Sequence, residues 1–332
     1  MKNIKMFCSS CCLIFLILFL CSCGNSMNKT TDNVSLESNN QKQIYIPIIS
    51  KSWQHQYWQS VKMGAEKAAK DYNVKITFEG PEDDAAINKQ IEMIDSAVSK
   101  KPAALVLAAC DNSNLAIPEL EKVKAANIPL VMFDSGVDSS IPITTVATGN
   151  VAASSAAADK LATAIGQEGE VAVICHNSVS ITGTARRDGF VNRIKEKYPK
   201  IKVVDVEYGG GDHEISENIA KTIIEKYPNI KGIFATNEGS AFGLINAVIK
   251  KDKVGKIVIV GFDSGKMQKD AVRNGTMLGA ISQDPVEIGY KAVEAAWKAS
   301  NGEKIESIIE TGYKWYDKTN MDDEDVKDLL YD

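Results

Sequence analysis

The sequence contains 332 residues, of which 44% are hydrophobic and 24% are charged, and its formal net charge is −5. This length allows about two globular domains, and the acidic excess argues against a nucleic-acid-binding protein, whose contact surface would be basic. The three histidines have no metal-ligand spacing, and neither a nucleophile elbow nor a dinucleotide-binding fingerprint occurs. We therefore expect no metal, no cofactor and no enzymatic activity.

Residues 1–22 have the pattern of a bacterial signal peptide. Their start is positively charged, and the apolar run over 11–20 is shorter than the roughly 20 residues that a bilayer-spanning helix needs. The run leads into the segment LCSC at 20–23, which resembles the lipobox of bacterial lipoproteins. We therefore expect Cys23 to be lipidated and to anchor the protein at the extracytoplasmic face of the cell membrane. An uncleaved single-pass anchor is the alternative.

The segment that follows the lipobox is predicted to be a tether. Residues 24–43 are rich in Asn, Ser, Thr and Lys and contain few apolar side chains. Such a segment cannot bury enough surface to fold, so we predict that 23–43 comprises the lipidated cysteine and a disordered linker. About 20 flexible residues reach about 25 Å, which would hold a folded domain clear of a membrane surface.

From residue 44 onward, apolar strand-like runs alternate with helical patterns. In the first half, the predicted strands are 44–49, 74–78, 103–109 and 130–133, and the predicted helices are 57–72, 85–99 and 115–126. In the second half, the predicted strands are 171–175, 203–207, 232–235 and 257–261, and the predicted helices are 152–165, 186–197, 215–226 and 241–250. Apolar strands that alternate with helices are typical of parallel sheets covered on both faces.

This repetition predicts an α/β fold with two similar doubly wound parallel-sheet lobes joined by a hinge. We assign 44–148 and 284–311 to an N-terminal lobe, and 149–283 and 312–332 to a C-terminal lobe. The chain then crosses between the lobes near 147–149, 283–285 and 311–315. Ligands of open α/β sheets bind beyond the carboxyl ends of the strands, so two facing lobes predict a cleft between those ends.

Polar residues occupy the predicted strand ends. The first strand ends at Ser50 and Lys51, and the segment Phe-Asp-Ser-Gly occurs after one strand of each half, at 133–136 and at 262–265. This internal repeat predicts that its two aspartates lie at equivalent positions in the cleft. A turn or helix cap is the alternative role for an aspartate at such a position.

Five of the seven cysteines lie at or before Cys23, which leaves Cys110 and Cys175 in the folded part. Each follows an apolar run that is predicted to be a strand, and the two strands belong to different lobes. Two isolated cysteines do not form a disulfide framework. We therefore expect two free thiols near strand ends.

Taken in order, these features resemble the ribose-type periplasmic binding proteins of ABC importers, which are type I solute-binding proteins. The matching segments are KMGAE at 62–66, ANIPLV at 126–131 leading to Asp134, RRDGF at 186–190, FATNE at 234–238 and VGFD at 260–263. The resemblance extends from about residue 44 to 302. It implies a binding protein that closes around a small sugar-like ligand and then docks on a membrane permease.

The resemblance also implies the site residues. In that family an aromatic pair after the first strand sandwiches the sugar ring, and Tyr57 and Trp58 take that place here, with core packing as the alternative. A first-lobe aspartate corresponds to Asp134. The remaining implied contacts are Arg186, His213, Asn237, Asp263 and Gln283, and we add Ser50 and Lys51 from the end of the first strand.

Two departures from the ribose binders bear on the ligand. Ala108 and Ala109 stand where those proteins carry an asparagine, and Ser135 stands where they carry an arginine. Both changes remove donors, so they argue against ribose itself but not against a sugar-like ligand. Two alternative functions share the fold: a ligand-sensing subunit for a membrane kinase or chemoreceptor, and an autoinducer receptor, in which a lysine occurs at the place of Lys51. We expect a monomer whose partners are the ligand, an ABC permease and the membrane.

Overall fold

The computed structural model describes residues 43–83, 85–112 and 117–331. The predicted signal peptide, the lipidated Cys23 and all of the tether except residue 43 lie outside the described residues. No helix in these described ranges is both long enough and apolar enough to cross a membrane.

The first half of the described chain alternates strands and helices as predicted. Its strands are β1 (Tyr45–Ile49), β2 (Lys75–Glu79), β3 (Leu105–Leu107), β4 (Leu130–Phe133) and β5 (Thr144–Thr148). Its helices are α1 (Gln56–Asp71), α2 (Ile87–Ser99) and α3 (Ile117–Ala125). The strand β5 was not among the predicted elements, because its sequence, Thr-Thr-Val-Ala-Thr, is short and only partly apolar.

The second half repeats the alternation and then adds elements that the sequence pattern did not predict. Its strands are β6 (Gly169–Cys175), β7 (Ile201–Tyr208), β8 (Ile230–Ala235), β9 (Val258–Phe262), β10 (Gly279–Gln283), β11 (Ile308–Thr311) and β12 (Tyr313–Asp317). Its helices are α4 (Asn150–Ala164), α5 (Ile181–Lys197), α6 (His213–Lys226), α7 (Glu238–Lys250), α8 (Lys266–Asn274), α9 (Pro285–Ser300) and α10 (Glu324–Lys327).

The strands form two six-stranded sheets with the same order of connections. The first sheet runs β11-β5-β4-β3-β1-β2, and the second runs β12-β10-β9-β8-β6-β7. All pairs in the first sheet are parallel, and in the second sheet only the pairing of β12 with β10 is antiparallel. The predicted fold class, two similar doubly wound parallel sheets, is confirmed.

Each sheet is covered on both faces, because successive strand residues enter opposite cores. In the first sheet, Ile48 and Phe133 enter one hydrophobic cluster, while Ile49 and Met132 enter the other. The second sheet has two corresponding clusters. Burial on both faces explains why these strands appear in the sequence as continuous apolar runs.

Three connections join the two sheets. The chain leaves the first sheet after β5, returns to it from β10 through α9, and leaves it again between β11 and β12. The returning helix α9 packs against α1 so closely that a methyl group on Gly64 would lie 1.9 Å from the carbonyl oxygen of Val286. The two glycines at this contact, Gly64 and Gly289, therefore allow the helices to approach at backbone distance.

Four helices of the second half, α4 to α7, begin earlier than the apolar periodicity predicted, and three of them have side-chain caps. The capping side chains of α5, α6 and α7 are Ser180, Asp212 and Asn237, and each accepts a hydrogen bond from a backbone N–H in the first turn. Such caps define where a helix begins, whereas the apolar periodicity starts only where the helix meets the core.

Cys175 is a buried free thiol, as expected, and Cys110 is buried as well. Burial raises the pKa of the Cys175 thiol to about 12. A thiol that stays protonated is a poor nucleophile, so Cys175 contributes to the core rather than to chemistry.

Candidate functional site

The carboxyl ends of strands from both sheets meet at a polar cavity. It holds about 300 Å³ of empty space when its opening to solvent is included. Its lining residues are Lys51, His55, Tyr57, Trp58, Asp134, His176, Arg186, Asn237, Glu238, Asp263 and Gln283.

All the predicted ligand residues except Ser50 and His213 line this cavity. The Ser50 hydroxyl instead donates to the backbone oxygens of Ser52, at 2.8 Å, and Glu79, at 3.1 Å. His213 lines a separate pocket, where its ring stacks on Phe242 with centroids 4.2 Å apart. Ser50 thus stabilises the loop after β1, and His213 belongs to the neighbouring pocket.

Three lining residues were not predicted: His55, His176 and Glu238. His176 directly follows β6, so the rule that polar residues gather at strand ends would have found it. Glu238 begins α7 next to the predicted Asn237. His55 precedes α1 and shows no sequence signal beyond its closeness to Tyr57.

Asp134 and Asp263 occupy equivalent positions, as the internal repeat predicted. Both have left-handed backbone conformations, with φ of 55° and 78°, which aspartate tolerates better than most residues. The N–H of each donates to the neighbouring strand, to Val146 and to Ile281 respectively. The same local backbone therefore presents one carboxylate to the cavity from each sheet.

The Asp134 carboxylate is held by two groups of the first sheet. The Tyr57 hydroxyl donates to Oδ1 at 2.8 Å, and the Lys51 ammonium lies 2.9 Å from Oδ2. Burial, together with the Asp134 charge, raises the pKa of the Tyr57 hydroxyl well above its ordinary value, so this hydroxyl remains a donor. Lys51 and Asp134 thus form a buried, internally neutralised pair in the cavity wall.

A polar chain connects Lys51 to the second sheet. The Lys51 ammonium donates to the hydroxyl of Thr182 at 3.1 Å, and that hydroxyl lies 3.2 Å from Nε2 of His176. The other ring nitrogen, Nδ1, lies 2.9 Å from the hydroxyl of Thr236. Burial first, and then the nearby charges of Lys51 and Arg186, lower the pKa of His176 well below its ordinary value. The imidazole is therefore neutral and serves as a hydrogen-bonding group.

Arg186 is oriented by three contacts and is almost completely buried. Its Nε donates to the side chain of Asn150 at 2.7 Å, and its Nη1 donates to the backbone oxygen of Thr236 at 2.9 Å. The guanidinium carbon lies 3.7 Å from the centre of the Phe262 ring, a distance typical of a cation–π contact. These contacts fix the plane of the guanidinium beside the cavity that it lines.

Asp263 is the centre of a second network, which reaches back to the first sheet. Its Oδ1 accepts from Nε2 of Gln283 at 2.7 Å, and its Oδ2 accepts from the N–H of Glu238 at 2.9 Å. The Gln283 oxygen in turn accepts from the hydroxyl of Thr148 at 2.9 Å. Because Thr148 ends β5 and Gln283 ends β10, this network joins the two sheets where the chain crosses between them.

The aromatic pair does not form two parallel faces. The rings of Tyr57 and Trp58 are 4.9 Å apart and meet edge to face at 77°. Neighbouring residues on a helix point about 100° apart, which prevents them from holding a ring between parallel faces. Both rings also belong to the hydrophobic core of the first sheet. They therefore offer one apolar wall, in place of the sandwich that the sequence suggested.

The charges of the cavity nearly balance. Lys51 and Arg186 are countered by Asp134 and Asp263, with Glu238 as a further carboxyl group. No group of three or more His, Cys, Asp or Glu residues in the described ranges could hold a metal ion. The arrangement suits an uncharged ligand with many hydroxyl groups, because it offers both charged donors and charged acceptors.

The fold and cavity define a two-sheet binding protein, and comparison with known proteins identifies its family. A sequence profile of the periplasmic binding protein domain matches residues 46–304. The chain belongs to this family of binding proteins. The prediction made from the motifs at 62–66 through 260–263 is thereby confirmed.

Among curated relatives, the D-allose-binding periplasmic protein of Escherichia coli is 26% identical over 266 residues, which cover 78% of this chain and 85% of that protein. The ribose import binding protein of Bacillus subtilis is 25% identical over 277 residues, which cover 83% and 88%. A carbohydrate transporter solute-binding protein from Agrobacterium radiobacter, in complex with D-arabinose, has a TM-score of 0.84 and 34% identity, and covers 87% of this chain and 99% of that protein.

Proposed function

We propose that this protein captures a monosaccharide or a similar polyol in the cavity between its two sheets and delivers it to an ABC importer. The proposal depends on one observation: the charges that line the cavity nearly balance, and both sheets contribute charged and hydrogen-bonding groups to it. The names of the relatives support the same ligand class, since they specify D-allose, ribose and D-arabinose.

In this proposal, the two aspartates accept hydrogen bonds from ligand hydroxyls. Arg186, Lys51 and Asn237 donate, and Trp58 supplies an apolar wall for the C–H face of the sugar. Charged groups make the stronger hydrogen bonds, and a guanidinium can donate two in parallel. Asn237 already accepts from the N–H of Ser240 through its oxygen, at 2.9 Å, which leaves its amide N–H groups as the donors.

Binding is coupled to closure of a hinge. We assign the lobes to 44–148 with 284–311 and to 149–283 with 312–332, since the sheet connections at Thr148, Gln283 and Gly312 lie at these limits. A ligand that contacts both lobes favours the closed state by its differential affinity for that state. The closed form then presents the surface that a permease recognises.

A panel of sugars tests the ligand class. We expect thermal-shift measurements to show stabilisation by at least one of D-arabinose, D-tagatose, D-fucose, D-allose and D-ribose, and calorimetry to give one site per chain. Sugar acids and phosphorylated sugars serve as the charged comparison and should stabilise less, since the cavity charges already compensate each other. Stabilisation only by charged ligands would contradict the proposal.

The proposal includes a lipid anchor at Cys23 and a monomeric state. The lipobox at 20–23 and the polar segment at 24–43 support the anchor. An anchor of this kind would keep the binding protein near its permease at the extracytoplasmic face, because each buried methylene of an acyl chain contributes about 0.8 kcal/mol.

We expect the Cys23→Ala variant to accumulate as an unlipidated precursor that does not incorporate labelled palmitate, because the thiol is the site of attachment. The Cys21→Ala variant is the matched control and should incorporate label like the wild type. Metabolic labelling followed by mass spectrometry of the N-terminal peptide measures both. Label retained by Cys23→Ala would show that another residue is modified.

A further inference from the structure

One buried carboxyl group of the cavity has a geometry that ligand binding alone does not explain. Glu238 is the first residue of α7 in the second half, and only 8% of its surface is exposed. Its two oxygens accept from backbone N–H groups of the first half, Gln56 at 3.4 Å and Tyr57 at 3.3 Å. These N–H groups lie in the first turn of α1. Glu238, which follows a strand of the second sheet, therefore caps a helix that packs on the first sheet.

Helix α1 has no acidic cap of its own. Its N-cap residue, His55, makes no side-chain capping bond, and its first turn contains no acidic residue. The first N–H groups of a helix need acceptors, and the positive end of the helix dipole favours a carboxylate there. The carboxylate that meets this need comes from about 180 residues away in the chain.

The capped turn contains the ligand-binding aromatic residues of the proposed site. The N–H of Tyr57 donates to Glu238, while its hydroxyl donates to Asp134. The position of Glu238 is itself fixed, because its own N–H donates to Asp263 and its carboxyl group packs against Gly265, where a Cβ would lie 2.7 Å away. One side chain thus links the aspartate of the second sheet to the aromatic wall of the first.

We propose that Glu238 is an interlobe clasp: a positioning residue that caps α1 when the cleft is closed, and thereby makes sugar affinity depend on pH. This inference rests on the proposed hinge closure. In an open cleft the carboxyl group is separated from α1 and meets water. Closure transfers it into a buried site and places it next to Asp263.

The direction of the pH effect follows from this transfer. Burial first, and then the charge of Asp263, raise the pKa of Glu238 from 4.5 to about 7 in the closed structure. Between pH 4.5 and pH 7, closure of the cleft is therefore coupled to the uptake of a proton by Glu238. As a result, the closed form is favoured at low pH. The advantage is complete below pH 4.5 and is lost as the pH rises through 7.

Other titratable groups surround Glu238 and also respond to pH. Those that face it from neighbouring elements or share its two pockets are His55, Asp263, Tyr316, Tyr331, His213, Lys266, Asp270, Lys51, Tyr57, Asp134, His176 and Arg186. The buried histidines have lowered pKa values, so their contribution opposes that of Glu238 below pH 7. For this reason, the test compares two proteins at each pH and does not rely on the wild-type profile alone.

The test is the Glu238→Gln variant, which keeps the shape and one acceptor oxygen but cannot ionise. Calorimetry at pH 6.0 and pH 8.5 uses whichever of D-arabinose, D-tagatose, D-fucose, D-allose and D-ribose binds most tightly. We expect the ratio of the wild-type to the variant dissociation constant to increase about tenfold from pH 6.0 to pH 8.5, since only the wild type loses a proton at Glu238. The matched control is Glu225→Gln, an exposed carboxyl group on the same half.

A ratio that does not change with pH would overturn the inference while leaving the sugar-binding function intact. A second measurement uses the protein saturated with the same sugar, in which the cleft stays closed. In NMR spectra, the amide protons of Gln56 and Tyr57 should shift with a midpoint near pH 7 in the wild type and not in Glu238→Gln. Failure of every sugar to bind would contradict the proposed function, whereas absence of this amide titration would contradict the clasp.

Discussion

The Asp134→Ala variant is expected to lose sugar affinity and to melt at a lower temperature than the wild type. The loss of a charged partner of a bound hydroxyl weakens binding by about 1.5–3 kcal/mol, or about 10- to 150-fold. The loss of stability has a separate cause, because the Lys51 ammonium lies 2.9 Å from Oδ2 of Asp134 and both are buried. Removing one partner of a buried ion pair lowers the free energy of unfolding by about 3–5 kcal/mol.

Calorimetry and thermal melting of the ligand-free protein separate these two effects. Asp134→Asn keeps the shape and an oxygen acceptor for Tyr57, so it should melt closer to the wild type and still bind weakly. Glu225→Ala removes an exposed carboxylate that pairs with Lys251. This control should change the sugar affinity and the melting temperature only slightly. Unchanged sugar affinity in Asp134→Ala would exclude Asp134 from the ligand site.

The Arg186→Lys variant is expected to bind sugar at least 10-fold more weakly, although it keeps the positive charge. A lysine cannot reproduce the contacts of the fork with Asn150 and Thr236, nor the stacking on Phe262. The donors that face the ligand then lose their fixed direction. Each charged hydrogen bond that is lost weakens binding by about 1.5–3 kcal/mol.

The neighbouring residue provides the matched control for this substitution. Arg187 is partly exposed and pairs with Asp188 at 2.7 Å, away from the cavity. Arg187→Lys should therefore leave affinity within about twofold of the wild type. Equal effects of the two substitutions in calorimetry would indicate that helix α5, rather than the guanidinium of Arg186, determines binding.

The features that depend on short-range pattern could be predicted from the sequence. Apolar strands alternating with helices predicted two parallel sheets, because a strand that is buried on both faces must be apolar throughout. The repeat of Phe-Asp-Ser-Gly predicted equivalent places for Asp134 and Asp263, and the structure has them there. The boundaries of α5, α6 and α7 were less accurate, because their first turns are defined by caps rather than by apolar periodicity.

The sequence by itself thus determined the fold class and the strand ends that meet at the cavity, since both follow from local preferences repeated along the chain. Only the tertiary structure decided which polar groups are partners. The pairing of Lys51 with Asp134 and the capping of α1 by Glu238 depend on the relative position of elements about 80 and about 180 residues apart. The exclusion of Ser50 and His213 from the cavity depends on their contacts with Glu79 and Phe242 in neighbouring elements. Apolar periodicity specifies which face of an element is buried but not which distant element it meets, so such contacts have no signature in the sequence.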